Sequence, residues 1–332
     1  MGTPSRLVPF AAIALACMLA ATASTAAPLY HLVDLGPSTG SNLNGHGEVS
    51  GAAQGRPSLW HDGAWHALSG SRKAEVEGLG NNRVAVGTHG LGRDSLPAAL
   101  VWKPDGQRVE LAPDARISYG TVMRSDGTAY GMLAPRGGGH ARPFRWQAGE
   151  LTALPYAGGW AWTKPNAANK AQQIAGTGQS VPQDGQCPSE PLLFTQGAWR
   201  RLGSLGGDCG GASGINDFGV VVGFTTVAGS DAGHAFVWKD GAMTDLGSLG
   251  GGYATADDIN ADGLIVGYSA DENLDPHAVV WRDGAITALD TVVDPPPDGT
   301  MVEAIAINGN GQILVIGVGD DTRFHTWRLD PL

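Results

Sequence analysis

Residues 234–251 read HAFVWKDGAMTDLGSLGG, and residues 277–289 read HAVVWRDGAITAL. The two near-copies stand 43 positions apart. A repeat of this period restricts the chain to an array of one supersecondary unit, stacked or closed into a ring. Aligning on the Trp of the phrase finds Trp60, Trp102, Trp146, Trp238, Trp281 and Trp327, with Phe194 filling the one gap. Seven units result, spaced by 42, 44, 48, 44, 43 and 46 residues. A second anchor agrees independently. An Asn stands seven positions before a Gly at Asn44 and Gly51, Asn169 and Gly176, Asn216 and Gly223, and Asn260 and Gly267. In looser units Arg124 takes the Asn slot and Val315 the Gly slot.

Each unit reads as four short apolar segments divided by turn residues. The Asn and Gly suit a tight turn because both tolerate left-handed backbone angles. After the Trp, HDG, KPDG, QAG, TQG, KDG and RDG supply a second hairpin turn in which Gly takes positive φ. Segments such as Val220-Val221-Val222 are apolar at consecutive positions, so both faces of that strand are buried. Glycine is 51 of 332 residues beside ten Trp, a composition that favours a turn-rich β protein over a helical array. The expected fold is all-β, a seven-bladed β-propeller of four-stranded blades. The seventh unit lacks its last strand, and Tyr30–Gly36 matches the end of the strand at Ala242–Gly247. The N-terminal strand therefore completes the last blade, which leaves only short protected edges.

The chain starts with one basic residue, Arg6, an apolar stretch from Leu7 to about Ala20, and then small residues. That is the layout of a signal peptide over residues 1–26, followed by a propeller domain over 27–332, secreted or periplasmic. A lipidated Cys17 is the competing reading of the same stretch. No other stretch is long and apolar enough to span a membrane. The formal charge is −11 and no basic stripe occurs, which argues against nucleic acid and anionic lipid as partners. The sequence holds no G-x-S-x-G, no H-E-x-x-H, no P-loop and no Cys/His zinc spacing, so neither cofactor nor metal is expected.

The phrase HAFVWKDGAMTDLGSLGG, with the INDFGVVVG and INADGLIVG segments, resembles the HAF-repeat proteins, bacterial repeats of extracellular location. The likeness is specific over residues 213–290 and weaker elsewhere. It implies export and a repeat architecture, but no reaction, cofactor or catalytic residue.

A residue present in every blade is scaffold unless the ligand shares the symmetry. Function is expected instead on the face carrying the long, unlike loops, such as YSADENLDP and VDPPPDGTMVE. Asp257 and Asp258, read as the start of an inner strand, are the best pair of carboxylates for acid/base work. Glu303 and Lys164 stand at comparable places around the channel. Trp160 could stack on a sugar. His234, His277 and Arg142 share one slot of the repeat and could ring a pocket. Cys187 and Cys209 fall on loops of one face, where a disulfide would close a segment of about 20 residues. The reading that follows is a binding or interaction module for a surface glycan or an extracellular protein. A carbohydrate-active hydrolase or lyase with its site at the channel mouth, or a structural envelope component, remain the alternatives.

Overall fold

The computed structural model describes residues 28–70, 73–90, 95–180 and 189–332. The expected signal segment and Cys187 lie outside these residues. Five four-stranded antiparallel sheets stand alone: residues 74–110, 115–153, 162–201, 206–245 and 250–288. They form blades 2 to 6. A larger sheet joins two more blades through one strand, Tyr30–Leu43. Residues 38–43 pair with Val49–Ala53 as the inner strand of blade 1. Residues 30–37 pair with Phe324–Pro331 as the outer strand of blade 7. The expected closure is therefore present, with one addition: Val293–Asp294 pairs with Tyr30 and His31, covering the edge that the closing strand exposes.

Packing closes the ring in the same way. Seven apolar clusters each draw on two neighbouring blades, one cluster per interface. Leu35, Leu43 and Val49 of the first half of the chain meet Ala306 and Leu314 across the closing interface. Of the Trp series, Trp102, Trp281 and Trp327 are fully buried and the other three half-buried. The Trp281 indole donates to the Leu246 carbonyl at 3.0 Å, tying blade 6 to the end of blade 5.

The hairpin after the Trp takes the expected form. Asp62-Gly63, Ala148-Gly149, Gln196-Gly197, Asp240-Gly241 and Asp283-Gly284 all have positive φ at both residues, as a type I′ turn requires. The Asn and Gly anchors are there for reasons other than left-handed backbone. None of the anchor Asn residues has positive φ. Their side chains cap the inner hairpin instead: Asn216 Oδ1 accepts from the Phe218 and Val220 amides, both at 3.1 Å. Each Nδ2 then reaches the next blade. Asn169 donates to the Asn216 carbonyl (3.0 Å), Asn216 to Asn260 (3.1 Å), Asn260 to Asn308 (3.4 Å), Asn308 to Asn44 (2.9 Å) and Asn44 to Gly80 (3.1 Å).

The repeated Gly lies in the second strand of the blade, under a bulge of the inner strand. A Cβ on Gly87, Gly131 or Gly267 would stand 2.0 Å from the carbonyl oxygen of Glu75, Tyr119 or Thr255. Gly51, Gly176 and Gly223 meet the same obstacle at 2.3, 2.4 and 2.1 Å. Only a residue without a side chain fits there.

Candidate binding site at the channel mouth

The bulge that demands the Gly also builds the site. In every blade the inner strand carries one unpaired extra residue at the same place: Ser41, Glu77, Thr121, Asn166, Ser213, Asp257 and Ile305. A bulge re-aims a side chain out of the pleat. All seven line one cavity of about 570 Å³ at the end of the central channel, and six of them are polar. The inner-hairpin turns form its rim, including Asn44, Arg124, Lys170, Asp217 and Asn260. The rim is braced by Lys170, whose Nζ pairs with Asp217 at 2.7 Å.

The cavity thus opens on the tight-turn face, opposite the long loops on which function was expected. The reason is the position of the bulge, three residues before each turn. Asp257 and Asp258 accordingly lie near the end of the strand Gly250–Ile259, not at its start. Nor do they act as a pair, because the bulge sends them to different surroundings. Asp258 Oδ1 accepts from the Ile259 amide at 2.8 Å and Oδ2 from the Ile307 amide of blade 7 at 2.9 Å. Burial raises its pKa to about 6 against the pull of these two donors. Asp258 is a stitch between blades.

Asp257 instead points into the channel. Its carboxyl meets that of Glu303, and Thr255 Oγ1 donates to it at 3.4 Å. Burial, then the neighbouring Glu303 charge, hold its pKa well above the usual carboxylate range. Glu77 of blade 2 faces the same cavity from the other side. Its pKa is raised by withdrawal from bulk water into the channel, eased by Lys164 and reinforced by Glu75. Among the described residues neither Glu77 nor Lys164 has an ion-pair partner within 4 Å, leaving both for a ligand. Asn166 bridges to blade 5 through the Ala212 carbonyl at 2.8 Å, and Ser41 to blade 2 through the Val76 carbonyl at 2.6 Å.

Of the residues picked out from sequence, Lys164, Asp257 and Asp258 therefore line one cavity, and Glu303 meets Asp257. The others do not. His234 pairs with Asp245 of the adjacent outer strand at 2.7 Å. His277 sits between Asp271 (3.6 Å) and Asp290 (3.7 Å), and Arg142 is exposed at the start of the third strand of blade 3. Each lies in the third strand of a separate blade, too far from the axis to converge. Trp160 lies away from the channel: its ring rests against Gly178 with the Arg201 guanidinium at 5.0 Å, and it lines a separate cavity of about 290 Å³ with Tyr156 and Trp199. Glu77, Thr121, Asn166 and Ser213 were missed from sequence. The signal that marks them is their offset from the turn residue of each repeat. Among the described residues no group of three or more His, Cys, Asp or Glu is placed to hold a metal ion.

No family model and no curated protein matches the sequence. Solved structures do match in fold. An oligogalacturonate lyase solved with manganese shares 13% identity at a TM-score of 0.58, over 92% of this chain and 97% of that one. The oligogalacturonate lyase of Vibrio parahaemolyticus shares 11% at 0.56, over 91% of each chain. The β-propeller domain of the trilobed protease of Pyrococcus furiosus shares 9% at 0.55, over 92% of this chain and 94% of that domain. At these identities the likeness shows the propeller fold.

Proposed function

We propose that this protein is an exported HAF-type propeller that binds the end of a neutral, hydroxyl-rich glycan in its channel mouth. The observation that carries the reading is the ring of bulges. It presents acceptors (Glu77, Asp257), donors (Lys164) and groups that do both (Ser41, Ser213) to one cavity of about 570 Å³. Sugar hydroxyls donate and accept at once, so such a lining suits them, and the volume falls within the range of small-ligand sites. The two acidic walls disfavour a uronate chain. The N-terminal apolar segment supports export, and the Cys187–Cys209 disulfide goes with an oxidising compartment. Thiol titration of the denatured, unreduced protein checks that bond; two reactive thiols per mature chain would remove it.

Calorimetric titration against a panel of neutral and acidic oligosaccharides tests the binding reading. Glu77→Gln and Lys164→Met should each weaken a neutral ligand by about tenfold, the worth of one charge-assisted hydrogen bond. Binding untouched by both variants would move the site away from the channel.

The second reading is hydrolysis or elimination on the same glycan. It is favoured by one feature, the contact of the Asp257 carboxyl with that of Glu303, because burial and a like-charged neighbour favour the protonated form that a general acid needs. Product analysis in the same panel separates the two. Turnover abolished by Asp257→Asn with binding retained supports the enzyme.

A further inference from the structure

The long-loop face has no comparable cavity among the described residues, but over blades 6 and 7 it differs from an ordinary surface. Leu274, in the hairpin of blade 6, is 63% exposed. In the corresponding hairpin of blade 7, Val318 and Phe324 face each other across the strands and are 39% and 66% exposed. Between them the chain passes through Pro295, Pro296 and Pro297. Acids surround this apolar sector: Glu272, Asp275, Asp298, Asp320 and Asp321 are all exposed. Arg323 is the single Lys or Arg in these loops, and Asp321 already pairs with it.

The sector is also fixed in shape. Asp271 Oδ1 accepts from the Asn273 and Asp275 amides at 2.8 and 3.0 Å, which holds the first hairpin. Asp321 Oδ1 accepts from the Arg323 amide at 2.9 Å, and the Asp320 amide donates to the Asp298 carbonyl at 3.3 Å. The second hairpin is thereby tied to the connecting loop. A rigid surface loses little conformational freedom on binding.

We propose that this sector is the docking surface for a basic, amphipathic polypeptide segment, with aliphatic or aromatic anchors between lysines or arginines. Charge decides among the occupants. Nucleic acid and an anionic membrane would be repelled. A second copy of this chain, at a formal charge of −11, would bring acids against acids. A small ligand finds no enclosed volume there. The apolar residues supply the contact, and the acids supply the choice of partner and a fast, salt-dependent encounter.

The test uses the mature protein and a short fluorescent peptide of alternating Lys and Leu, read by anisotropy at low and physiological salt. Leu274→Ser with Phe324→Ser should weaken binding about tenfold without lowering Tm, since both side chains are exposed. Asp320→Asn with Asp321→Asn should flatten the salt dependence while keeping the turn, because Asn retains an accepting oxygen. Glu77→Gln, in the channel on the opposite face, should leave the affinity for this peptide unaltered. The proposal is overturned by no binding at low salt, by equal binding of the peptide with Glu in place of Lys, by unaltered affinity in both surface variants, or by a loss seen in Glu77→Gln.

Discussion

The ring is held unevenly, and two arcs of it show how. From blade 4 round through blades 5, 6, 7 and 1 to blade 2, every interface carries an Asn side chain bonded to the next turn. At the other two interfaces the slot holds Gly80 and Arg124, and neither makes that bond among the described residues. The apolar packing is uneven too, though not along that division: seven buried residues cluster between blades 2 and 3. Between blades 6 and 7 fourteen buried residues cluster; between blades 3 and 4 only Val122, Tyr130 and Ile174 do. Three buried threonine hydroxyls without a partner, Thr121, Thr128 and Thr163, also lie in blades 3 and 4. One repeat has thus produced interfaces of different strength. Local opening is expected to start where burial and hydrogen bonding are poorest. The channel mouth spans both arcs, with Asp257 and Glu303 on the stitched side and Thr121, Asn166 and Lys164 on or beside the weaker one.

The comparison breaks most severely if its strongest interface is removed. Deleting residues 30–36 takes Tyr30, Leu32 and Leu35 from two clusters and strips blade 7 of its outer strand. Burial of three such side chains is worth about 6 kcal/mol, a large part of a domain's stability. The truncated protein should lose its cooperative thermal transition; an unchanged melt would show that closure contributes little. Asn216→Ala takes the acceptor from two amides of the stitched arc and one of its two donors from the Asn260 carbonyl. It should cost about 3 kcal/mol in denaturant unfolding, against about 1 for Arg124→Ala at the unstitched position. Equal costs would dissolve the distinction between the arcs.

Acid titration sharpens it further. The folded protein holds the Asp258 proton to about pH 6, above the ordinary value of 3.8. The native state therefore binds that proton more tightly than the unfolded chain. The contribution of Asp258 to stability is full below about pH 4, falls as the pH rises to 6, and then levels, by up to about 3 kcal/mol. Asp258→Asn should abolish this slope, so the variant compares less favourably with the parent at pH 4.5 than at pH 7. Melting curves across that range decide it, and a slope that persists would belong to other groups. The smallest effect is a gain. Arg124→Asn places the missing donor in a turn already bonded like the others, Arg124 amide to Thr128 carbonyl at 2.9 Å. It should add about 1 kcal/mol, offset in part by loss of the Arg124–Asp126 pair at 3.2 Å, and slow amide exchange in blade 3. Exchange left unaltered would mean that the Asn bond does not set local opening.

By itself the sequence determined the unit, its number and its closure. These depend on patterns that the chain carries locally: Trp every 42 to 48 residues, Asp-Gly at the outer hairpin, and the Tyr30–Gly36 strand matching a piece missing from the seventh unit. Even the Gly anchor was legible as a constraint, although its cause was not. Only the tertiary structure decided what the anchors do. Left-handed backbone and a cramped strand both select Gly, and a turn residue and a side-chain cap both select Asn, so composition alone cannot tell these demands apart. The same limit hid the site. Glu77, Asn166 and Asp257 are unremarkable in a list of polar residues, and they converge because an identical bulge turns each of them toward one axis. Asp258, one position along, is turned away by that bulge and becomes a bond between blades. A single residue of register separates a channel-facing carboxylate from a structural one, and strand pairing across the sheet sets that register.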